Sequence, residues 1–240
     1  MIYASDFKLN TLTHQVGGLN EAEGLSFLGQ AFKDEITFST SFDLEDQVIT
    51  HMIQTSNIPI EIFTIDTGRL FEETYHVWSR TNKKYNTIIK AYYPHFNSLQ
   101  EFIETNGPDA FYESKQLRKE CCFIRKVEPL QRALKGKSLL ITGLRLEHLP
   151  EGRSVEQLEW DPINQVTKYH PLLYWTTEQV NSFIYDNNIP YNALHNKGFV
   201  SIGCAPCTRA IKPGEAYSAA NWWWENKRAT EKVNAVYALY

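Results

Sequence analysis

Four cysteines in two close pairs are the residues of this 240-residue chain whose types and spacing most clearly suggest chemistry. Cys121 and Cys122 are adjacent in RKECCFIRK, and Cys204 and Cys207 form a C-x-x-C pair in GCAPCTRAI. A zinc ion or an iron–sulfur cluster accepts four thiolates of this kind. The side chains of adjacent residues diverge, which suits a larger cluster better than a single ion. Buried apolar thiols are the remaining interpretation.

The composition and charge of the chain are those of an ordinary globular protein. Apolar residues make up 42 % of it, charged residues 22 %, and the formal net charge is −4. This charge argues against a general nucleic-acid or anionic-membrane surface. No apolar run is long enough to span a bilayer, and the first ten residues lack the apolar core of a signal peptide. We therefore expect a cytoplasmic protein with reduced thiols and with neither nucleic-acid nor membrane partners.

Segments rich in β-forming residues alternate with segments of helical spacing. The former predict strands over 35–41, 60–66, 86–93 and 138–144. Such alternation predicts one α/β domain over 1–240 with a doubly wound, mainly parallel sheet. Residues 1–30 form a predicted N-terminal helical segment. Residues 195–240 form a loop-rich tail that carries the C-x-x-C pair and the triple tryptophan.

Local signals also predict where several helices lie. Helical spacing predicts one helix over 121–134, with Pro129 inside it, and another over 176–188. Thr176 is the expected N-cap of the second helix, and Asn97 or Ser98 that of a helix following the third strand. Because ligands of such sheets bind beyond the carboxyl ends of the strands, we expect the loops STSFDLED, DTGRLF and GLRLEH to surround one mouth.

Long stretches of the sequence match the motifs of one family in order. They include KECCFIRKVEPLQRAL and SIGCAPCTRAI around the cysteines, and also TSFDLEDQVI, FTIDTGRLFEETY, TGLRLE, LEWDP, HPLLYWTTEQV, IPYNALHNKGF, PGE and WWWE. In these motifs the chain resembles the cluster-bearing assimilatory adenylyl-sulfate reductases, a branch of the sulfonucleotide reductases. The resemblance implies an adenine-nucleotide alpha-hydrolase-like fold with a nucleotide site at the switch point of the sheet.

The resemblance also implies a cofactor, a reaction and a partner. The cofactor is a 4Fe–4S cluster bound by Cys121, Cys122, Cys204 and Cys207. The reaction reduces adenylyl sulfate to sulfite and AMP, with thioredoxin supplying the electrons. Relatives that use the 3′-phosphorylated substrate usually lack the cysteine pairs, so the pairs favour the unphosphorylated substrate. A phosphoadenylyl-sulfate reductase is the alternative. A zinc protein with an all-thiolate site and no redox role is a further one.

Six residues are candidates for binding the nucleotide. Backbone N–H groups near Ser39 and Ser41, at a predicted helix start, can hold a phosphate or ribose; a plain βα turn is the alternative. Asp66 could hold a ribose hydroxyl and Arg69 a phosphate, the alternative being an ion pair within the turn. The other two candidates are Lys126, one helical turn after Cys122, and Arg145 of the G-L-R motif.

Lys126 could stabilise an anionic thiolate cluster and also face the substrate sulfate, although most helical lysines are merely solvated. In relatives the arginine of G-L-R faces the phosphosulfate. The alternative for Arg145 is a salt bridge at the rim, which would contribute little.

The sequence departs from the family at several anion-binding positions. Ser218 and Asn221 stand where R-A-G-R has arginines, and Asp43 stands where the first loop usually has glycine. His148 and Leu149 begin the segment that is usually Q-S-x-x-R, and its arginine is displaced by one residue, to Arg153. These changes predict weaker binding of a sulfated nucleotide.

The family's attacking thiol lies in a C-terminal E-C-G-L-H motif, and here Tyr237 takes the position of the cysteine. A phenol cannot form an S–S bond, and the four cysteines of the chain are already assigned to the cluster. We therefore expect no nucleophilic cysteine among these residues and no independent use of the usual two-step mechanism. A catalytically inactive, cluster-bearing nucleotide-binding or regulatory homologue is therefore an alternative to the reductase.

Overall fold

The computed structural model describes residues 4–149 and 152–225. In these residues helices cover both faces of a six-stranded sheet. The helices are α1 (Ala4–Val16), α2 (Glu21–Ala31), α3 (Leu44–Thr55), α4 (Glu72–Tyr85), α5 (Phe96–Asn106), α6 (Lys115–Cys122), α7 (Glu128–Ala133) and α8 (Thr177–Asp186). The strands are β1 (Ile36–Ser39), β2 (Glu61–Ile65), β3 (Lys90–Tyr92), β4 (Leu139–Ile141), β5 (Leu158–Asp161) and β6 (Val166–Tyr169). Among the described helices, none is both long and apolar enough to cross a bilayer.

The strand order is β3-β2-β1-β4-β6-β5, and every neighbouring pair is parallel except β5 with β6. The chain runs from β1 outward through β2 to β3 and then returns to β4 on the other side of β1. The topological switch point therefore lies between β1 and β4, where an open α/β sheet binds its ligands. This topology confirms the predicted doubly wound, mainly parallel sheet.

The hairpin of β5 and β6 was not predicted. Each strand has only four residues, too few for an alternating pattern to stand out. Asp161 builds the turn, because its Oδ1 accepts the N–H groups of Ile163 at 2.9 Å and of Asn164 at 3.2 Å. β6 pairs with β4 and thereby extends the sheet beyond the predicted fourth strand.

One predicted helix start is confirmed, a second lies elsewhere, and one predicted helix is interrupted. Thr176 caps α8, and its side chain and that of Gln179 form a reciprocal capping box. α5 begins earlier than expected, with His95 rather than Asn97 or Ser98 at the N-cap. The predicted helix over 121–134 is divided, because a π-helical turn over Phe123–Val127 separates α6 from α7.

The core has a large cluster on one face of the sheet and smaller ones elsewhere. Ile36, Phe38 and Ile141 belong to the large cluster, which also includes buried residues of α2, α3 and α8. Phe63 and Leu140 point to the opposite face and pack with α7. A third cluster, Phe102, Ala110, Phe111 and Cys121, lies beside the cysteine-bearing helix. Cys121 is thus both a core residue and a candidate ligand.

Substituting Gly24 with alanine tests the packing of α2 on the sheet. A Cβ at Gly24 would lie 2.4 Å from the hydroxyl oxygen of Tyr169, a residue only 1 % exposed. We expect G24A to lower the free energy of unfolding by about 1–3 kcal/mol, although alanine is the better helix former. At Gly18 the same Cβ would meet nothing within 4 Å. G18A should therefore change stability by less than about 0.5 kcal/mol in urea denaturation; equal effects of the two variants would contradict this packing.

Candidate functional site

The four cysteines line one cavity. α6 ends at Cys122, and a short 3-10 turn in the tail begins after Cys204 and ends at Cys207. The cavity contains about 310 Å³ of space free of protein atoms, part of it continuous with solvent. Its lining brings together the four cysteines, four cations, a phenylalanine and a proline: Cys121, Cys122, Cys204, Cys207, Arg69, Arg118, Arg125, Lys126, Phe111 and Pro206.

The C-x-x-C loop is attached to the turn that follows β2. Cys204 forms an antiparallel bridge with Leu70, and the N–H of Ala205 donates to the carbonyl of Arg69 at 2.8 Å. The Cys204 thiol also lies 3.2 Å from Oγ1 of Thr67. The carboxyl edge of the sheet therefore sets the position of the second cysteine pair.

The first pair lies where the helix changes its hydrogen-bonding pattern. The N–H of Glu128 donates to the carbonyl of Phe123, five residues back, in the π-helical turn. Pro129 has no N–H, so the usual bond to the carbonyl four residues earlier cannot form there. Such π turns often occur at functional sites. Here the turn follows Cys121 and Cys122 directly.

Burial and mutual repulsion oppose ionisation of these thiols. Burial raises the pKa of Cys121, Cys122 and Cys207, and the neighbouring thiols raise it further. Nearby cations act in the opposite direction, Arg125 on Cys121 and Lys126 with Arg118 on Cys122. The site therefore contains thiols together with the positive groups that favour their thiolate form.

The predicted residues Arg69 and Lys126 both line the cysteine cavity. Arg69 donates to Asp109 at 3.0 Å and to the carbonyl of Pro108 at 2.7 Å, so the alternative of an ion pair within its own turn is not what forms. The positive charge of Lys126 lowers the pKa of Asp43, Cys122 and Cys207, against the larger raising effect of burial. It has neither a hydrogen bond nor an ion pair with any residue that the structure describes, so its ammonium group is available to an anion.

Asp66 and Ser41 hold their own loops together. The Asp66 carboxylate accepts the Gly68 N–H at 2.8 Å and the Tyr75 hydroxyl at 2.9 Å. Ser41 donates its N–H at 2.6 Å and its hydroxyl at 2.8 Å to Asp46. Ser39 ends β1 half-buried, in register with Phe63 of β2. All three candidates lie at the carboxyl edge, as predicted.

Carboxylates crowd the start of α3, where the sequence predicted an anion site. Asp43, Glu45 and Asp46 all have largely buried side chains, and burial raises the pKa of Asp46 to about 7. Asp43 does not cap its own helix; it accepts the Ile202 N–H at 3.1 Å instead. The aspartate that replaces the usual glycine therefore joins the first loop to the cysteine loop.

Arg145 lies in a second cavity between α3, α8 and the tail, with about 1570 Å³ of space free of protein atoms, part of it continuous with solvent. It is not at the rim, since its side chain is only 4 % exposed. Its guanidinium donates to Glu45 at 2.7 Å and to Glu147 at 2.5 Å. The described linings of the two cavities share no residue, so Arg145 lines a different cavity from Lys126 and Arg69.

Of the other positions that depart from the family, His148 contacts Arg145 most directly. Its Nε2 lies 2.7 Å from Nη2 of Arg145, and its ring stacks on Tyr217 with centroids 4.2 Å apart. Because arginine can only donate, Nε2 accepts and the ring is neutral. Burial lowers the pKa of His148 to about 4, against the opposing charge of Glu45. Tyr237 lies outside the described residues.

The sequence from β1 to the C-x-x-C loop matches a known domain. Residues 35–210 match the phosphoadenosine phosphosulfate reductase domain. The chain belongs to this family.

Among relatives, the "Adenosine 5'-phosphosulfate reductase" of Allochromatium vinosum is 44% identical over 88% of this chain and 83% of its own. That of Agrobacterium fabrum is 39% identical over 92% of this chain and 85% of its own. A crystal structure of phosphoadenylyl-sulfate reductase from Candida auris, a phosphate complex, superposes with a TM-score of 0.73 at 27% identity. It covers 87% of this chain and 98% of that one. FMN adenylyltransferase of Candida glabrata, with a TM-score of 0.54 at 15% identity, shares the fold.

Two cations of the cysteine cavity were missing from the sequence-based candidates. Arg118 precedes Cys121 by three residues, and Arg125 follows it by four. Residues so spaced lie on one face of a helix, so the run RKECCFIRK already contained the signal. The Arg125 guanidinium donates to the carbonyl of Thr67 at 2.6 Å, and it thereby connects the cysteine helix to the turn after β2.

Replacing His148 with glutamine should make the free energy of unfolding depend less on pH below 6.5. Between pH 6.5 and about 4 the unfolded chain binds a proton at His148 that the folded chain excludes, so stability falls as pH drops through this window. Glutamine offers Arg145 an acceptor and does not titrate. We expect H148Q to lose less unfolding free energy than the wild type over this window, by roughly 1–3 kcal/mol, in urea titrations.

His76 provides the matched control, because its side chain is 68% exposed. H76Q should keep the wild-type slope between pH 6.5 and 4. A slope in H148Q equal to that of the wild type would show that His148 does not titrate as a buried neutral ring.

Proposed function

We propose that this chain binds adenylyl sulfate and promotes its reduction to sulfite and AMP. The observation that carries the proposal is the meeting of four thiols with Lys126 and Arg69 in one cavity. This cavity lies in a chain 44% identical to a named adenosine 5'-phosphosulfate reductase. The loops after β1, β2 and β4 surround the switch point, where we place the nucleotide.

Several observations favour the unphosphorylated nucleotide over its 3′-phosphorylated form. The curated relatives at 39–44% identity bear the name of the adenosine 5'-phosphosulfate enzyme. The phosphoadenylyl-sulfate reductase structure is 27% identical. The acidic start of α3 and the fully engaged Arg145 also disfavour an additional phosphate. A phosphoadenylyl-sulfate reductase is therefore the weaker interpretation.

The donor set of the cavity fits a 4Fe–4S cluster. All four thiols line the same space. Because the side chains of adjacent residues diverge, Cys121 and Cys122 suit a polynuclear centre better than a single zinc ion. Cys121, Cys122, Cys204 and Cys207 would hold it, and when bound it would supply an anionic, redox-capable group.

Lys126 is the side chain best placed to act on the substrate. Its ammonium group has no partner among the described side chains, and its charge lowers the pKa of both Asp43, in the loop after β1, and Cys122. It can pair with a sulfate oxygen and stabilise the charge that develops as the sulfur is attacked. Arg69 can assist from the same cavity once it releases Asp109, whose carboxylate is exposed.

The attacking thiol comes from outside these 240 residues, because all four cysteines of the sequence line the cavity. A thiolate forms a bond to the sulfate sulfur while the S–O bond to the phosphate breaks, and AMP leaves with that electron pair. A second thiol then attacks the first thiol's sulfur, releasing sulfite and leaving a disulfide. A dithiol protein such as thioredoxin meets this requirement, and a cytoplasmic location would keep it reduced.

Metal and sulfide content tests the proposed cofactor. Protein purified anaerobically should be brown, with about four irons and four inorganic sulfides per chain. Cys204→Ser should lower both contents, because it removes one of four ligands, whereas Ser201→Ala in the same loop should leave them unchanged. Colourless protein with one zinc per chain would refute the cluster.

Binding and turnover of adenylyl sulfate test the proposed substrate. We expect Lys126→Ala to weaken binding roughly 10- to 100-fold in anaerobic calorimetry, the loss of one charge-assisted contact. Lys119→Ala is the control, because Lys119 is exposed on α6.

Sulfite should form with added dithiol protein, and intact mass should show no sulfite adduct on this chain. Binding without sulfite release under any thiol would favour the regulatory alternative.

A further inference from the structure

Arg118 connects the cysteine helix to the tail of the chain. It lies on α6, one turn before Cys121 and Cys122, and its side chain is only 3% exposed. Its Nε and Nη2 donate to the two carboxylate oxygens of Glu225 at 2.7 and 3.0 Å. A bidentate pair of this kind fixes orientation as well as charge. Arg118 therefore holds residue 225 in a defined place beside α6.

The same guanidinium also packs on Trp222, its central carbon 4.2 Å from the ring centroid. Trp222 adopts a φ of 47°, a left-handed conformation that is unfavourable for a bulky side chain. Its N–H donates to the carbonyl of Cys207 at 3.1 Å, and the Glu225 N–H donates to the carbonyl of Trp222 at 2.9 Å. The turn over 222–225 is thus strained, and contacts to α6 and to the cysteine loop hold it.

One donor of Arg118 remains without a partner. Its Nη1 is buried without an oxygen or nitrogen acceptor among the described residues. Arg118 lines the cysteine cavity, where its side chain also interacts with the Cys122 sulfur. A buried, unpaired guanidinium N–H is costly unless an acceptor enters the space beside it. An anionic centre held by the thiolates would be such an acceptor.

We propose that Arg118 is a positioning residue that couples occupation of the four-cysteine cavity to the docking of the segment 222–225. The proposal rests on the proposed cofactor. When the cavity is filled, Arg118 contacts the anionic centre on one side and Glu225 and Trp222 on the other. Its ion pair with Glu225 and its packing on Trp222 are then strengthened. Coupling of this kind is reciprocal. Docking of the segment therefore slows release of the cluster, and release of the cluster loosens the segment.

Hydrogen exchange on the full chain tests this coupling. Iron-loaded protein should take up deuterium in 222–225 at least threefold more slowly than chelator-treated protein. Arg118→Lys keeps the charge but loses the bidentate geometry. The R118K variant should take up deuterium rapidly in 222–225 even when it is loaded with iron. It should also lose iron to a chelator at least threefold faster than the wild type. Glu225→Gln should have the same effects, and the double variant should add little to either.

The chain contains a matched control. Arg132 forms a similar bidentate pair with Glu128, at 2.6 and 3.1 Å, away from the cavity lining. Arg132→Lys should leave exchange in 222–225 and iron loss unchanged. Loaded and chelator-treated wild type with equal exchange in 222–225, or R118K that behaves as the wild type, would overturn the coupling alone. Wild-type protein that binds no iron would overturn the proposed cofactor and the coupling with it.

Discussion

Four thiols that line one cavity impose the constraint on which the rest of the site depends. Each thiol that ionises there disfavours ionisation of the others, so the cavity requires positive groups close by. The chain meets this requirement from one helical segment, in which Arg118, Arg125 and Lys126 lie on the turns around Cys121 and Cys122. The second pair is held by backbone contacts to the turn after β2. The edge of the sheet, the cysteine helix and the tail consequently meet at one point.

Negative charge, in contrast, dominates the loops at the carboxyl edge of the sheet. Asp43, Glu45 and Asp46 crowd the start of α3, and Glu45 together with Glu147 engages Arg145. A helix start with such acidic side chains is a poorer anion site than its backbone alone would be. Positive groups face the cysteine cavity instead. This separation of charge suits a substrate whose sulfate points toward the thiols and whose nucleoside lies near the switch point.

The contacts of Asp43 show how one substitution can change the role of a loop. A glycine at this position would leave the backbone open to a close ligand. The aspartate side chain instead accepts the Ile202 N–H and thereby fastens the cysteine loop to the first loop of the sheet. A position that the sequence marked as a loss of anion binding is, in the structure, a link between two parts of the site.

From local periodicity and from residue types at short spacing, the sequence predicted the parallel sheet and the family, and its candidates included the four cysteines and two of the four cations of their cavity, Arg69 and Lys126. It did not reveal the hairpin of β5 and β6, whose strands are too short to show a pattern. It also could not show that Arg145 is buried between Glu45 and Glu147, or that Arg118 grips Glu225, 107 residues away. Such pairings are decided only when the folded sheet brings distant loops together and burial forces each charge to find a partner.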